Sequence, residues 1–490
     1  MVKLILIELK KICKKKSIFV MLIIMLVFNL LNNILFYTDY DHNGNYKYLE
    51  TENIKEEIEL LETKLNKYDY NKKEDKSVVL ELKTKLELLK LKEKYNVNSW
   101  QYNKVNDYLY NVVESVNKYT YLVKEDNELL RYKNKLDDYL TKFDNDDWKF
   151  FIKLDIDNLK QEIIDIEEHL KIVSDKKEKN ELLKVLTSKK KELEVLEYRL
   201  INNIKYDNSY LNIALTNVLE KNKLIKYYEE STKILSFREK YEYQELKEGL
   251  EENKYILKNK INYNKQNNLN YQLRTIVDDY EIFIIVIILI IASGIMADEF
   301  TSGTIKLLLI KPYSRGKILL SKYFAGIIVM FLVIIYLILL QLLIGSIIFG
   351  TSSLEVPVII YDFNKNIIVE YNVFIYMVIR IITKLPLLLM LFTISFSIST
   401  IISSGVIAIV IPLFLYMFSP SIIYLIKHYE INILKYLINV NWDFNNYLFG
   451  RIYEIEKMNF LWSFIIWIIY FLVEVMITYF NFKRKNIRNV

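Results

Sequence analysis

IFVMLIIMLVFNLLNNILF, residues 18–36, is apolar from end to end except for Asn29, Asn32 and Asn33. At about 1.5 Å per residue, a helix of that length nearly covers the roughly 30 Å hydrocarbon core of a bilayer. The stretch therefore reads as a first transmembrane helix. Residues 1–17 ahead of it carry Lys3, Lys10, Lys11, Lys14, Lys15 and Lys16, a basic flank that favours the cytoplasmic side. A signal peptide has the same basic-then-apolar order, but no small-residue cleavage site follows in Asn32–Tyr37, so an uncleaved anchor is expected.

The rest of the chain is made of two materials. Its 490 residues are 52% hydrophobic and 26% charged, and the two kinds are separated along the sequence. From 37 to 281 the chain is rich in Lys, Glu, Asn, Leu and Tyr, has no proline, and has no glycine between Gly44 and Gly249. So long a stretch without a breaker predicts helix. Ile54, Ile58, Leu61 and Leu65 follow steps of four, three and four, and Leu159, Ile163, Ile166 and Leu170 repeat them. Leu186, Leu193, Leu196 and Leu200 extend the theme. One apolar stripe on each helix calls for paired helices, and a coiled-coil insert is expected. Turns are expected at Asn96–Ser99, Asp144–Asp147, Ser174–Asp175 and Asp207–Ser209, where Asn, Asp and Ser can cap helix ends. Such an insert serves either as a rigid stalk with solvated charges or as a domain that meets a substrate or partner.

Apolar sequence resumes at 282–297, the second span, and ends in Asp298-Glu299. Residues 298–317 form the next loop, whose Lys306, Lys311, Arg315 and Lys317 suit the cytoplasm. The run 318–349 is a third span, longer than one crossing needs. Residues 372–420 hold the fourth and fifth spans, meeting at Ser399–Gly405. Residues 421–459, with Trp442 and several tyrosines, form an outer segment, and 460–480 is the sixth span. Lys483, Arg484, Lys485 and Arg488 in 481–490 return the carboxyl terminus to the cytoplasm. The expected fold is an all-α membrane protein of about six transmembrane helices, with a large extracellular helical insert between the first and second.

Composition narrows the function. Cys13 is the one cysteine, and His42, His169 and His428 form no ligand spacing, so no metal or thiolate centre is expected. The net charge of +6 is spread among acidic residues, and no nucleic-acid stripe is formed. Gly345 and Gly350 have the glycine spacing of a phosphate loop, but Thr351 follows where Lys is required. No cofactor is expected, and any ATP hydrolysis belongs to another polypeptide. Within the spans, Glu474, Arg380 and Lys384 are the candidate intramembrane polar site. Arg380 and Lys384 also suit snorkelling towards the interface, and the three asparagines of the first span suit interhelical hydrogen bonds.

The loop after the second span reads Asp298-Glu299-Phe300-Thr301-Ser302-Gly303-Thr304-Ile305-Lys306-Leu307-Leu308-Leu309-Ile310-Lys311-Pro312-Tyr313-Ser314-Arg315. Thr301 or Ser302 can cap a short helix that begins near Gly303 and ends at Pro312, with Leu307, Leu308 and Ile310 against the bilayer or the bundle. Here the sequence resembles permease subunits of ABC-2 type transporters, in which a span ends in Glu and is followed by Gly-Thr, paired leucines, Pro, Ser-Arg and a Lys in the next span. Glu299, Gly303, Thr304, Leu307, Leu308, Pro312, Ser314, Arg315 and Lys322 fill those places. The resemblance implies a loop that couples to a separate ABC ATPase subunit, a second permease subunit as homo- or heterodimer partner, a bacterial cytoplasmic membrane, and export of a peptide, antibiotic or amphiphile. It leaves the insert unexplained. The competing reading is a membrane scaffold or secretion-machine subunit that carries an extracellular stalk and needs no ATPase-docking helix.

Overall fold

The computed structural model describes residues 1–68, 72, 75–97, 99–123, 125–207, 209–230, 235–262, 268–310 and 313–485, with the side chains of 39–52, 230 and 308–309 left aside. The chain divides into two compact units: Met1–Thr38 with Ser231–Glu248 and Lys265–Val490, and Asp39–Glu230 with Gly249–Asn264.

The helices follow from breakers and caps. A short α1 (Val2–Cys13) precedes α2 (Lys16–Leu65). Next come α3 (Lys76–Glu93), α4 (Trp100–Lys118), a π-helical turn at Tyr119–Val123, α5 (Asp126–Asp144) and α6 (Trp148–Ile172). They are followed by α7 (Lys176–Ile201), α8 (Tyr210–Glu230) and α9 (Phe237–Asn259). Ser99 caps α4, Asp147 caps α6 and Asp175 caps α7, each accepting a backbone N–H of the first turn. α2 ends at Leu65, the π-helical turn at Val123 and α8 at Glu230 without Gly or Pro beside them, and the spacing of apolar residues does not reveal these ends.

In the second unit α3 packs on α4, α6 on α7 and α7 on α8. Trp100, Phe143, Trp148 and Phe151 form an aromatic core, with Leu193, Leu196 and Leu200 of α7 against it. Ile54, Ile58 and Leu61 bury their stripe against Leu86. Trp100 cannot leave its indole N–H unpaired inside that core, and it donates to Asp146 at 2.7 Å. Arg199 is buried too, its guanidinium donating to the Ile204 and Lys205 carbonyls and to Asn212, and lying 3.9 Å over the Tyr206 ring.

Among the described residues the first unit holds six helices long and apolar enough to cross a membrane, and this is a multi-pass membrane protein. They are the Lys16–Thr38 part of α2, then α11 (Glu281–Thr301), α13 (Arg315–Phe349), α14 (Val373–Ile402), α15 (Gly405–Tyr429) and α16 (Phe460–Arg484), with short α10 (Leu269–Asp279) and α12 (Ile305–Leu309) between. Capping side chains set where four of the spans begin: Ser314 for α13, Asn372 for α14, Ser404 for α15 and Asn459 for α16. The fourth and fifth spans turn at Ser403, whose φ of 62° is left-handed. Close approach of α13 to its neighbours depends on Gly326, where a Cβ would stand 2.6 Å from Ile295 and closer still to the Phe392 ring.

The structure is an all-α membrane fold, as expected, with one small addition. Between α13 and α14 the chain forms an antiparallel hairpin, β1 (Val358–Asp362) with β2 (Ile367–Tyr371), in register Ile360 to Val369. Both strands are runs of β-branched and aromatic residues, bounded by Pro357 and by the turn at Asn364-Lys365-Asn366. Asp362 accepts from the Asn364 N–H at 2.9 Å to close that turn. The hairpin marks one end of the bundle, the hairpin end; α1 and Lys485 mark the other, the terminal end.

The polar groups of the first span are spent on packing. Asn29 donates to Gln341 of α13 at 2.8 Å and to Tyr280 at 2.9 Å, Gln341 donates to Asn33 at 2.8 Å, and Asn32 reaches Tyr280 at 3.3 Å. Asn29, Asn33 and Gln341 are fully buried. Gln341→Leu should therefore lower the thermal unfolding midpoint of the purified chain by the equivalent of about 1–3 kcal/mol, the cost of orphaned amides. Adding Asn29→Leu should cost less than it does alone, because the two share bonds. A midpoint unmoved by Gln341→Leu would show that this network does not hold α2 to α13.

Candidate functional site

The residues of the 298–322 segment are gathered at the terminal end by one buried ammonium group. Lys322 interrupts an apolar run of α13 and is 1% exposed, a position no lysine holds without partners. Its Nζ lies 2.8 Å from Glu8 Oε2 and 3.0 Å from Glu299 Oε1. Glu299 also accepts from Lys11 at 2.9 Å and from the Thr304 hydroxyl. Lys15 extends the set, donating to Asp298 at 2.6 Å and to the Gly294 carbonyl at 2.7 Å. Three elements are thus joined: α1, the end of α11 and the first turns of α13. A cavity of about 120 Å³ adjoins the cluster, lined by Glu8, Lys11, Asp298, Glu299 and Thr304 among others.

The charges of this cluster are fixed by their neighbours. Partial burial works against the Lys11 ammonium, but the hydrogen bond to Glu299 and the attraction of Glu8 and Glu299 prevail and raise its pKa. Glu8 and Lys11 were absent from the candidate residues. Their signal lies in α1 itself, where Leu4, Glu8 and Ile12 recur every four residues and are its buried face.

A second clamp closes the far side of the loop. Ser314 caps α13, and Arg315 beside it donates to the carbonyls of Lys483 at 3.1 Å and Lys485 at 2.9 Å, and to that of Phe482 at 3.5 Å. These are the open carbonyls at the end of α16, where a cation is favoured. Lys485 in turn donates to the Thr400 and Ile401 carbonyls at the end of α14, at 2.8 and 2.9 Å, and to Ser403 at 2.6 Å. Its ammonium lies 4.2 Å over the Phe300 ring, and burial lowers its pKa.

The short helix α12 hangs between the two clamps. Gly303, with φ of 70°, turns the chain out of α11 in a conformation that L side chains rarely adopt. The expected caps are not formed: the hydroxyls of Thr301 and Ser302 donate back to the Asp298 carbonyl, and Thr304 at the head of α12 makes no side-chain cap. Ile305 is the buried anchor, whereas Leu307 and Ile310 are 67% and 80% exposed rather than laid against the bundle. The side chain of Leu308, and Pro312 entirely, lie outside the described residues.

The three intramembrane candidates do not form one site. Lys384 and Arg380 belong to a second charge cluster at the hairpin end. Lys384 is 7% exposed and donates to Glu281 at 3.1 Å and to Asp443 at 2.6 Å, while Arg380 pairs with Asp278. Both are ion-paired to carboxylates of the protein. Asp278, Glu281 and Asp443 sit more than 50 residues away in sequence, at helix ends and in a loop, and local spacing gives no hint of the pairing. Glu474 stands apart on α16 beside Ser397 of α14.

Residues 247–488 match a family described as a protein of unknown function, DUF2705. The matched region takes in both clamps apart from α1, together with the hairpin-end cluster. The chain is also 28% identical over 247 residues to YhcI of Bacillus subtilis (strain 168), described as an uncharacterized protein; the alignment covers 50% of this chain and 78% of that one. No solved structure matches.

Removing the central ammonium would leave two buried carboxylates facing each other. Lys322→Met should destabilise the chain by about 3–5 kcal/mol and loosen α1, seen as faster tryptic cleavage after Lys10 and Lys11 in the purified protein. The triple change Glu8→Gln, Glu299→Gln and Lys322→Met should recover most of that loss. If Lys322→Met cleaves no faster than wild type, the ammonium does not hold α1.

Proposed function

We propose that this chain is the membrane-spanning permease subunit of an ATP-driven transporter of the ABC-2 type, working as a pair of such subunits with two copies of a separate ATPase. The observation that carries the reading is α12 with its described flanks, residues 302–310 and 313–314. It is fastened at one foot by Lys322, Glu299 and Glu8 and at the other by Arg315 on the end of α16, and it presents Leu307 and Ile310 to its surroundings. An apolar knuckle on a rigid base suits a lever, because force applied to α12 passes directly to α11, α13 and α16. A loop that only rested on a bilayer would need neither clamp.

In this reading the terminal end faces the cytoplasm of a bacterium. Among the described residues Lys3, Lys10, Lys11, Lys306, Arg315, Lys317 and Lys485 are gathered there, and short cytoplasmic segments carry such an excess. The hairpin end and the insert 37–281 then lie outside the cell, the insert as paired helices of coiled-coil type. Export is the direction proposed, with a peptide, antibiotic or amphiphile as cargo. ATP is hydrolysed on the partner polypeptide, and this chain is not an enzyme.

The test is affinity purification of the tagged chain from native membranes. An ABC-type ATPase should elute in near-equal amount with wild type, and should fall at least tenfold with Leu307→Asp plus Ile310→Asp, changes to exposed side chains that leave the clamps intact. Elution of wild type without any ATPase, with wall or secretion proteins held by the insert, would overturn the permease reading in favour of a scaffold.

A further inference from the structure

The hairpin end of the spanning unit contains a cavity of about 520 Å³, within the size range of sites for small organic ligands. Its floor is the Lys384 cluster. All three donors of that ammonium are directed at carboxylate oxygens, two at Glu281 and one at Asp443, so it is not free to bind an incoming anion. The charged side chains lining the cavity are three carboxylates, Glu281, Asp443 and Glu454, against two lysines, Lys384 and Lys427, with His428 beside them. A surplus of negative charge remains. Tyr416, Tyr424, Trp442 and Tyr453 line it as well, Tyr424 with one ring face stacked on His428 at 4.0 Å, and aromatic rings attract an organic cation.

Two further observations mark the cavity as a site. Asn439 lines it, is 4% exposed, and its amide Nδ2 has no hydrogen-bond partner, a cost that a ligand oxygen would remove. Beyond it lies a second cavity of about 680 Å³, lined by five carboxylates and four Lys or Arg residues. The two share Lys427, His428 and Glu454, and the Lys427–Glu454 ion pair, 2.6 Å long, stands where they adjoin.

We propose that the inner cavity binds an amphiphilic organic cation, its charge among the aromatic faces and carboxylates and a carbonyl oxygen accepting from Asn439 Nδ2. The outer cavity is its approach, and the Lys427–Glu454 pair is the contact the ligand passes. This site does not depend on the transport reading, since binding to the chain alone requires no ATPase.

Rhodamine 6G, a cationic dye bearing an ester carbonyl, serves as probe, and anionic fluorescein as control. Fluorescence polarisation is followed with the full chain in lipid nanodiscs, and empty nanodiscs report partition into lipid. Saturable rhodamine 6G binding is expected, at least fivefold weaker for Asn439→Ala and for Tyr424→Ala, with no saturable fluorescein binding. Tyr424 is 52% exposed, so its replacement keeps the test valid even where Asn439→Ala fails to fold. The proposal fails if rhodamine 6G binds no better than to empty nanodiscs, if fluorescein binds equally well, or if folded Tyr424→Ala binds like wild type.

Discussion

A lysine ammonium with 1% exposure inside an apolar helix is the constraint from which the terminal end of the spanning unit follows. Desolvating that charge is costly, and the cost is met only by bringing Glu8 and Glu299 to it together. Glu8 can arrive only if residues 2–13 form a helix lying against α13, and Glu299 only if α11 ends where it does. Thr304 and Lys11 then satisfy the remaining oxygens of Glu299. Geometry as much as energy is set by this arrangement, because a buried pair that loses one partner costs more than the pair contributes.

The two charge clusters divide the work differently. The one at the terminal end is closed: its donors and acceptors are directed at one another, and the cavity beside it is small. At the hairpin end Lys384 is equally well paired, yet the carboxylates around it exceed its charge and open onto a space large enough for a ligand. Arg315 and Lys485 add a third device, cations placed on the open carbonyls of helix ends, which binds α13, α14 and α16 without any opposite charge.

Much of this was legible in residue order. The apolar runs correspond to the six helices that, among the described residues, are long and apolar enough to span a membrane, and Ser99, Asp147 and Asp175 cap helices of the insert where short polar residues interrupt the apolar rhythm. The segment from Glu299 to Lys322 contains the side chains that organise the terminal end. Partners were not legible, since Glu8 and Lys322 are separated by 314 positions and Lys384 and Asp443 by 59. Nor was the hairpin recovered, although Val358-Ile359-Ile360-Tyr361 and Ile367-Ile368-Val369 carry ordinary strand composition; they were submerged in a chain that is otherwise helical. Thr301 and Ser302 failed as caps because their hydroxyls had a nearer acceptor on the preceding turn.

The closed cluster also has an electrical consequence. Lys11 and Lys322 are balanced by Glu8 and Glu299, so the four groups together carry no net charge. One elementary charge carried across a full bilayer potential of 100 mV is worth about 2.3 kcal/mol. A neutral quartet moved as a unit draws nothing from that voltage. Any voltage dependence in a motion of α1, α11 and α13 that keeps the quartet whole therefore rests on the other charges of those helices, Lys3, Lys10, Asp298, Arg315 and Lys317 among them.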